Sequence, residues 1–551
     1  MATATTVHEA FALSARQAPD APFLFIEPVT ARTYGIPAGT ITYGEAAESV
    51  ETLKKRFQAA GLGPGHRVGL LLANRPSFFH HWFALNALGV SVVPISPEMR
   101  RAEWAYLIGH SGMCMAVCLA DRVQDLTEAA GDARREYADA APRFAAVVEG
   151  LDGGLPQVPS VAAAGGADTA LERECALLYT SGTTGRPKGC RLSNGYFLNC
   201  GRWYATVGGL CSVRRGRERV ITPLPLSHMN AMAVSAMMAV TSGSCVVQLD
   251  RFHPATWWQS VRDSGATIVH YLGVMPAMLL AAAPDPKDRE HAVRFGFGAG
   301  VDPAHHSGFE QRFGFPLLEA WAMTETGSAA TVIANHEPRH IGTKCFGRAE
   351  PFMELRLVDE QGVEVPTGQP GELLVRSAGS DPRRNFFSGY LKDEAATAQA
   401  WEGGWFHTGD VVRQDEQGYL YFVDRRKNVI RRSGENISAV EVESVLNRHP
   451  AVRASAVAGT PDPVRGDEVL ACIVTHEPLP PEHRAALAAG IVEHALSQLA
   501  YYKAPGYVAF VDALPLTSSQ KIQRGTLKDL AAILPSQDNC LDMRTMKKRS
   551  R

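Results

Sequence analysis

The apolar residues of the chain alternate between helical and strand-like spacing. Residues 46–60 have an amphipathic helical pattern, and the Arg67-Val-Gly-Leu-Leu-Leu segment that follows them is typical of a buried strand. Residues 78–88 are helical again, and Val90-Ser-Val-Val-Pro is strand-like. The same alternation recurs over residues 220–315. It predicts an α/β fold in which crossover helices link the strands of a parallel sheet.

The pattern changes after about Gly342, where short strands separated by turns predict a small β subdomain. The charged run Asp424-Arg-Arg-Lys-Asn428 then interrupts the apolar periodicity, and a second stretch of helices and strands follows it. We therefore expect a large N-terminal domain over residues 1–423, built from stacked α/β subdomains plus the small β subdomain. A hinge is expected over residues 424–428 and an α+β C-terminal domain over residues 429–551.

One segment, residues 229–249, carries no charge and is long enough to suggest a transmembrane helix. It contains Thr241-Ser-Gly-Ser244, however, and it ends in the β-rich sequence Cys245-Val-Val-Gln-Leu. These features predict a buried helix, a turn and a strand rather than a membrane span.

The composition limits what the chain can bind through its overall charge. The 551 residues include 55 Lys and Arg against 57 Asp and Glu, a formal net charge of −2, and 45% are hydrophobic. This balance provides no global field for nucleic acid or for an anionic membrane. An anionic ligand must therefore be held by a local site.

The ten cysteines form no C-x-x-C pair, and the N-terminus lacks a basic segment followed by an apolar stretch. We expect the cysteines to be reduced structural thiols in a cytoplasmic protein. The expected oligomeric state is a monomer or a homodimer. The basic C-terminal residues Lys547, Lys548 and Arg549 are expected to be solvated charges on a frayed tail.

The most informative segment is Tyr179-Thr-Ser-Gly-Thr-Thr-Gly-Arg-Pro-Lys-Gly189, which follows the apolar run Cys175-Ala-Leu-Leu. Its Ser and Thr hydroxyls, glycine N–H groups and lysine can all face one anion, which is what a polyphosphate requires. The G-x-x-x-x-G-K-[ST] loop does not fit, because Gly189 follows Lys188. The segment predicts a phosphate-binding loop of another kind.

This segment resembles the phosphate-binding signature of the acyl-adenylate-forming enzymes, the superfamily of acyl-CoA synthetases, firefly luciferase and nonribosomal peptide adenylation domains. The resemblance extends over nearly the whole chain, because further family motifs follow in the family's order and spacing. They are Trp321-Ala-Met-Thr-Glu-Thr326, Trp405-Phe-His-Thr-Gly-Asp410, Asp424-Arg-Arg-Lys427 and Pro515-Leu-Thr-Ser-Ser-Gln-Lys-Ile-Gln-Arg524.

The resemblance implies two half-reactions. A carboxylic acid and ATP give acyl-AMP and pyrophosphate, and the thiol of coenzyme A then displaces AMP. Cations and hydrogen-bond donors are needed because a carboxylate attacks a phosphate of like charge. The residues expected to bind ATP or AMP are Thr180, Ser181, Gly182, Thr183, Thr184, Gly185, Lys188, Gly298, Ala299, Gly300, Trp321, Ala322, Asp410 and Arg425.

The resemblance also assigns roles in the chemistry to Lys521, Glu325, Thr324 and His228. Lys521 bridges the acyl carboxylate and the phosphate, Glu325 binds Mg²⁺, and Thr324 contacts the α-phosphate. His228 orients or gates the reacting carboxylate rather than acting as an obligatory base.

For the adenosine, the resemblance implies that Asp410 and Arg425 hold the ribose. The indole of Trp321 offers a face to adenine, and the 298–300 loop approaches the other side of the ring.

The resemblance further implies that the C-terminal domain is mobile and rotates about Lys427. One pose inserts Lys521, and the other brings Gly434 to the site, where the missing side chain leaves room for the pantetheine of CoA. The chain departs from the family at three positions: Ala322 and Gln520 replace glycines, and Arg431 replaces a frequent lysine.

The acceptor and the acid are separate questions. The chain looks most like carnitine/crotonobetaine-type, fatty-acid and aryl acid–CoA ligases, so a stand-alone CoA ligase is favoured over a carrier-protein loader or a luciferase-like oxygenase. A nucleotide-binding pseudoenzyme is disfavoured because the reacting residues are present. By family position, the acyl pocket is expected to be lined by Met229, Asn230, Val274, Met275, Val301 and Met323. None of these residues is an Asp that could bind the α-ammonium of an amino acid, which argues against amino-acid activation. Aliphatic, aryl and carnitine-like acids all stay open.

Overall fold

The structure is a computed structural model that describes residues 4–137, 143–151, 154–159, 161, 169–180, 186–425, 429–515 and 522–548, with the side chains of residues 274, 424 and 425 left aside. Its strands are β1 (Pro22–Ile26), β2 (Gly39–Thr42), β3 (Arg67–Leu71), β4 (Ser91–Pro94), β5 (Met115–Cys118), β6 (Ala145–Val148), β7 (Glu174–Thr180), β8 (Lys188–Ser193), β9 (Arg219–Thr222), β10 (Cys245–Gln248), β11 (Ile268–Leu272), β12 (Phe295–Ala299), β13 (Leu317–Trp321), β14 (Val332–Ile333), β15 (Cys345–Arg348), β16 (Met353–Val358), β17 (Pro370–Ser377), β18 (Phe406–Gln414), β19 (Tyr419–Arg425), β20 (Val429–Arg432), β21 (Glu435–Ser438), β22 (Val452–Asp462), β23 (Gly466–Thr475), β24 (Tyr507–Phe510) and β25 (Cys540–Asp542).

The helices are α1 (Val7–Gln17), α2 (Pro28–Tyr34), α3 (Tyr43–Ala59), α4 (Pro76–Ala87), α5 (Arg101–Ser111), α6 (Val123–Glu136), α7 (Asn194–Thr206), α8 (Ala236–Ser242), α9 (Trp257–Ser264), α10 (Val274–Leu280), α11 (Pro303–Phe313), α12 (Glu394–Ala400), α13 (Ala439–Leu446), α14 (Arg484–Gln498) and α15 (Arg524–Ile533). The chain forms two compact units. One comprises Met1–Pro97, Ile108–Leu178 and Gly189–Asp424, and the other comprises Glu98–Leu107, Tyr179–Lys188 and Arg425–Arg551.

Two largely parallel sheets carry the α/β part of the first unit. Among the described strands, one sheet has the order β14-β13-β12-β11-β9-β10-β1-β2 and the other the order β6-β5-β3-β4-β7-β8. Strands β9 to β13 pair in parallel, and antiparallel β14 and β2 close the edges. A third sheet, β15-β19-β18-β17-β16, is antiparallel. These sheets confirm the predicted crossover fold and the small β subdomain.

Aromatic side chains fill the core beside these sheets. Helix α4 is apolar on most of its surface and begins at Pro76, whose fixed φ suits a first helical turn. Its Phe83 stacks on Phe11 of α1 at a centroid distance of 4.5 Å, and its Trp82 meets Phe197 of α7 edge-on at 5.3 Å. Each fully buried aromatic ring of this kind contributes roughly 2–3 kcal/mol of hydrophobic stabilisation.

The uncharged segment over residues 229–249 folds as predicted into helix, turn and strand. A π-helical turn, Asn230–Ser235, leads into α8. Gly243 ends that helix with a left-handed φ of 66°, and β10 follows. Across the described ranges, no helix is both long enough and apolar enough to cross a membrane.

All ten cysteines are free, and nine of them are buried. Burial raises the pKa of the Cys118 and Cys175 thiols to about 12, so both stay protonated at neutral pH. This agrees with the expected structural role of the thiols.

The second unit is built on one mixed sheet with apolar side chains on both faces. Its described strands have the order β21-β20-β23-β24-β25, and β22 pairs with β23. Alternate residues of β23 face two different cores: Val469, Ala471 and Ile473 pack with α13 and α14, whereas Leu470 and Cys472 pack against α15. A strand covered on both sides therefore appears as a continuous apolar run.

The expectation of a frayed, solvated tail is wrong for Lys547. The chain after α15 forms β25 on the edge of the sheet, and the Lys547 side chain, only 1% exposed, donates a short hydrogen bond to Glu468. Glu468 also accepts from Nε of Arg432 at 2.8 Å. Burial, with the charge of Arg432 beside it, lowers the pKa of Lys547 to about 7.

We expect Lys547→Met to remove part of the pH dependence of stability. In an unfolded chain the pKa of this lysine is about 10.4, so between pH 7 and pH 10 the unfolded state binds more protons than the folded state. This group therefore makes the folded state more stable as pH rises. The wild-type chain should gain about 2 kcal/mol of unfolding free energy over Lys547→Met between pH 7 and pH 9, measured by denaturant unfolding at each pH.

Lys548→Met is the matched control, because the neighbouring Lys548 is exposed. It should follow the wild-type pH dependence. Parallel pH curves for the wild-type chain and Lys547→Met would contradict the prediction.

Candidate active site

Parallel pairing brings the predicted motifs to one edge of the large sheet. Strands β9, β11, β12 and β13 are parallel neighbours, so their carboxyl ends share that edge. His228 lies after β9, the 298–300 loop begins in the last two residues of β12, and the 321–325 segment begins at the last residue of β13. Ligands of parallel α/β sheets bind outside the carboxyl ends of the strands. This edge is therefore the candidate active site.

A buried carboxylate holds the 298–300 loop. Gly300 donates its N–H to Oε2 of Glu319 at 2.9 Å, and Val301 donates its own to Oε1 at 3.2 Å. The hydroxyl of Tyr271 also donates to Oε1 at 2.9 Å. Burial raises the pKa of Glu319, against the pull of these hydrogen bonds. Glu319 therefore holds the backbone of this loop in place through the N–H groups of Gly300 and Val301.

Glycine is required where this loop meets the neighbouring strand. A Cβ on Gly273 would lie 1.7 Å from the carbonyl oxygen of Gly300, and one on Gly298 would lie 2.3 Å from that of Tyr271. Gly273 also donates its N–H to the oxygen of Ala299 at 3.0 Å. The backbones at the ends of β11 and β12 therefore touch without intervening side chains.

Trp321 and Asp410 form a direct pair. The indole Nε1–H of Trp321 donates to Oδ2 of Asp410 at 2.9 Å, and both side chains are buried. Asp410 lies on β18, where its N–H donates to the hydroxyl of Thr408. The structure thus brings together two residues that the sequence assigned separately to adenine and to ribose. It also shows that the indole edge is bonded to the carboxylate.

Two tyrosines fix the segment that carries Thr324 and Glu325. Tyr196 on α7 donates its hydroxyl to the carbonyl oxygen of Thr324 at 2.9 Å. Tyr390 donates its hydroxyl to Oε1 of Glu325 at 3.0 Å, and Phe387 donates its N–H to the backbone oxygen of Glu325. The Glu325 carboxylate is therefore buried and oriented.

The segment after β9 carries His228, Met229 and Asn230. The carbonyl oxygen of His228 accepts from the N–H of Met232 at 3.1 Å, and Asn230 begins the π-helical turn. Oδ1 of Asn230 lies 2.9 Å from Nδ1 of His270, a fully buried residue of β11. A π-helical turn is a frequent feature of functional sites.

The remaining acyl-pocket candidates divide into two groups. Met275 and Val301 are fully packed in the apolar cluster beside α9 and α11. Met229 and Met323 are half-buried against the main core. The side chain of Val274 lies outside the described part. Ala322 is half-buried at the end of β13.

The ends of the predicted phosphate loop lie on strands. Thr180 is the last residue of β7, and Lys188 is the first residue of β8. Tyr106 donates its hydroxyl to the oxygen of Pro187 at 2.8 Å, and the guanidinium carbon of Arg186 lies 5.2 Å from the centre of the Tyr106 ring. Ser181, Gly182, Thr183, Thr184 and Gly185 lie outside the described residues.

Gly434 occupies the turn between β20 and β21. Ser433 and Gly434 have φ of 51° and 88°, and Arg432 pairs with Glu435 on either side of them. Two successive positive φ values indicate a tight I′ hairpin, for which glycine is favoured. Lys427, Lys521 and the side chain of Arg425 lie outside the described part of the chain.

Sequence reasoning missed two residues of this site, Glu319 and His270. Each is a polar residue within an apolar strand, in Leu317-Leu-Glu-Ala-Trp and Ile268-Val-His-Tyr-Leu. A buried polar group needs a partner, so its position inside a core strand was the available signal.

Comparison with known proteins identifies the family. The family model described as AMP-binding enzyme matches residues 11–391, and the model for the AMP-binding enzyme C-terminal domain matches residues 441–521. The chain is 32% identical to a sulfoacetate–CoA ligase of Cupriavidus necator over 94% of this chain and 96% of that protein. It is 29% identical to a crotonobetaine/carnitine–CoA ligase of Salmonella heidelberg over 88% of this chain and 93% of that protein.

Solved structures share the fold. A malonyl-CoA ligase superposes with a TM-score of 0.72 at 26% identity, covering 90% of this chain and 97% of that one. An amide bond synthetase from Marinactinospora thermotolerans gives a TM-score of 0.75 at 25% identity, covering 94% and 99%.

These findings confirm the predicted superfamily and the α/β fold with a large N-terminal and a smaller C-terminal domain. They also confirm that the chain is an enzyme, and at the level of the family they confirm the expected class, AMP-forming acid–CoA ligases, which use ATP. The chain belongs to the AMP-binding enzyme family.

Proposed function

We propose that the chain activates a carboxylic acid with ATP to acyl-AMP and pyrophosphate, and then transfers the acyl group to the thiol of coenzyme A. The observation that carries this proposal is the Trp321–Asp410 pair beside the Glu319-held 298–300 loop, at the edge where Thr324 and Glu325 emerge. This arrangement offers an aromatic ring, a carboxylate and a close backbone surface to one nucleoside.

The Asp410 carboxylate, which accepts from the Trp321 indole, is the group that would accept from a ribose hydroxyl. A carboxylate accepts from hydroxyls more strongly than a neutral group does. Because the indole holds the carboxylate in place, the Asp410 side chain loses little conformational entropy when the nucleotide binds. In this proposal the 298–300 loop covers the adenine, and Ala322 lies beside it.

Glu325 has the chemistry of a magnesium ligand. Its carboxylate is buried and fixed by Tyr390, and Mg²⁺ is commonly held by one or two carboxylates together with phosphate oxygens and water. The described residues include no group of three His, Cys, Asp or Glu side chains that could hold a metal by itself. Glu325 would therefore hold Mg²⁺ together with the ATP phosphates, and the ion would supply positive charge against the developing phosphate charge.

The other predicted roles belong to the same proposal. Lys188 and the loop hydroxyls hold the β- and γ-phosphates, and Thr324 contacts the α-phosphate. Lys521 bridges the two reacting anions, and His228 orients the acid. A hinge at Lys427 and the missing side chain at Gly434 serve the CoA step. Arg425 holds the ribose.

Trp321→Phe is expected to raise the KM for ATP about tenfold. It removes one hydrogen bond to a buried carboxylate, which typically contributes about 1.5 kcal/mol or more. The KM for the acid should change by less than about twofold, because the acid does not depend on that bond. Steady-state kinetics with each substrate varied in turn provides the measurement.

Trp405→Phe is the control, because Trp405 is packed elsewhere in the β subdomain with Val358 and Leu374. It should leave both KM values unchanged. An equal rise in both KM values for Trp321→Phe would argue against a nucleotide role.

Lys521→Ala is expected to lower acid-dependent pyrophosphate exchange by about 100-fold or more, because a cation that stabilises the reacting anions is lost. Thioester formation from preformed acyl-AMP and CoA should be retained. Each half-reaction is assayed separately, and Lys528→Ala serves as the matched control, because Lys528 is exposed on α15. Loss of both half-reactions in Lys521→Ala alone would contradict this role.

The reaction itself is tested with a panel of carboxylic acids, ATP and CoA, with the CoA thioester detected by mass. We expect pyrophosphate release without CoA and AMP release with it. Acyl-AMP that CoA fails to discharge would overturn the assignment of CoA as acceptor and favour a carrier protein.

A further inference from the structure

A buried polar network centred on His270 contacts the segment that carries Asn230. The His270 ring has no solvent exposure, and its centroid lies 5.5 Å from that of Tyr204 and 4.9 Å from that of Phe297, two rings that also stack on each other at 4.8 Å. Its Nε2 lies 2.9 Å from the hydroxyl of Tyr204, and its Nδ1 lies 2.7 Å from Oγ of Ser235. Burial lowers the pKa of His270 to about 3, so the ring is neutral.

The contact with the amide oxygen of Asn230 assigns the ring proton of His270 to Nδ1. Ser235 donates its hydroxyl to the carbonyl oxygen of Asn230 at 3.1 Å. Its oxygen and Oδ1 of Asn230 therefore both face Nδ1 of His270 as acceptors. A neutral imidazole has one donor and one acceptor. Nδ1–H is thus the donor, and Nε2 accepts from Tyr204.

This network fixes the orientation of the Asn230 amide. Oδ1 accepts from Nδ1–H of His270 at 2.9 Å, and turning the amide over would require the other tautomer of His270. No described residue accepts a hydrogen bond from Nδ2 of Asn230, and the side chain is half-buried. Asn230 therefore presents N–H donors and no acceptor.

A second donor adjoins the same aromatic cluster. Trp203, next to Tyr204 on α7, has a ring 6.3 Å from that of Phe297. Its Nε1 is buried and, within the described ranges, has no acceptor. Within the described residues, Asn230 and Trp203 thus offer donors that have no acceptor, whereas Met229, which precedes Asn230, is apolar.

We propose that Asn230 selects acids whose acyl group carries a hydrogen-bond-accepting oxygen, and that His270 is the residue that positions it. This inference rests on the proposed function. A buried or half-buried donor favours a ligand with a matching acceptor and rejects the analogue that lacks it. A quaternary ammonium is disfavoured, because it needs a carboxylate or an open aromatic face and Oδ1 of Asn230 is already engaged.

The test uses three acids of nearly the same shape. Sulfoacetate ends in an anionic sulfonate with oxygen acceptors, 3,3-dimethylbutyrate in an apolar tert-butyl group, and glycine betaine in a trimethylammonium group. A longer pair, 4-oxopentanoate and 4-methylpentanoate, compares a carbonyl with a methyl branch. Acid-dependent pyrophosphate release gives kcat/KM for each acid.

We expect wild-type kcat/KM to be about 10- to 100-fold higher for the oxygen-bearing acid of at least one set than for its apolar partner. Asn230→Leu should abolish this preference without changing the KM for ATP. Asn230→Asp should disfavour sulfoacetate and improve use of glycine betaine. His270→Phe keeps a stacked ring but removes the Nδ1–H donor, and it should raise the KM for the oxygen-bearing acid while sparing the apolar one.

Met229→Leu is the matched control, since it changes an apolar neighbour and should affect both acids of a pair alike. A wild-type preference for the apolar acids, or equal losses for both acids in Asn230→Leu, would overturn the selection role while leaving adenylation intact. If, in the wider panel of carboxylic acids that tests the proposed function, only acids without an acceptor oxygen on the acyl group release pyrophosphate, the inference is overturned and the proposed function stands; if no acid of that wider panel does, both are overturned.

Discussion

Parallel pairing of β9, β11, β12 and β13 is the constraint on which the candidate site depends. In this register His270 lies opposite Phe297, and Leu272 lies opposite Ala299. Gly273 and Gly300 then meet backbone to backbone. A slip of one residue would turn each side chain to the other face of the sheet. The contact between the ends of β11 and β12 therefore requires both this register and glycine at these positions.

Buried polar groups give the site its rigidity. Glu319, His270 and Asp410 are each enclosed in the fold and each have partners that come from other strands or helices. Removing such a group from water is unfavourable unless its hydrogen bonds are replaced. The fold replaces them, so the groups that would meet a nucleotide or an acid are ordered in advance.

Much of the architecture could be predicted from local patterns. The alternation of helices and strands, the uncharged helix-turn-strand segment and the β subdomain all follow from apolar periodicity and turn residues. The C-terminal tail could not, because a basic run is usually solvated. Lys547 is buried since β25 pairs with β24 and brings the next residues to Glu468. That pairing joins segments far apart in sequence.

By itself, the sequence determined the family and the order of the motifs, and it predicted a phosphate loop, because each depends on residues that are adjacent in the chain. Only the tertiary structure decided which donor meets which acceptor. Trp321 and Asp410 are 89 positions apart, and Asn230 and His270 are 40 apart. Such a hydrogen bond depends on strand order and register, which place distant residues within 3 Å, and no local pattern contains that distance.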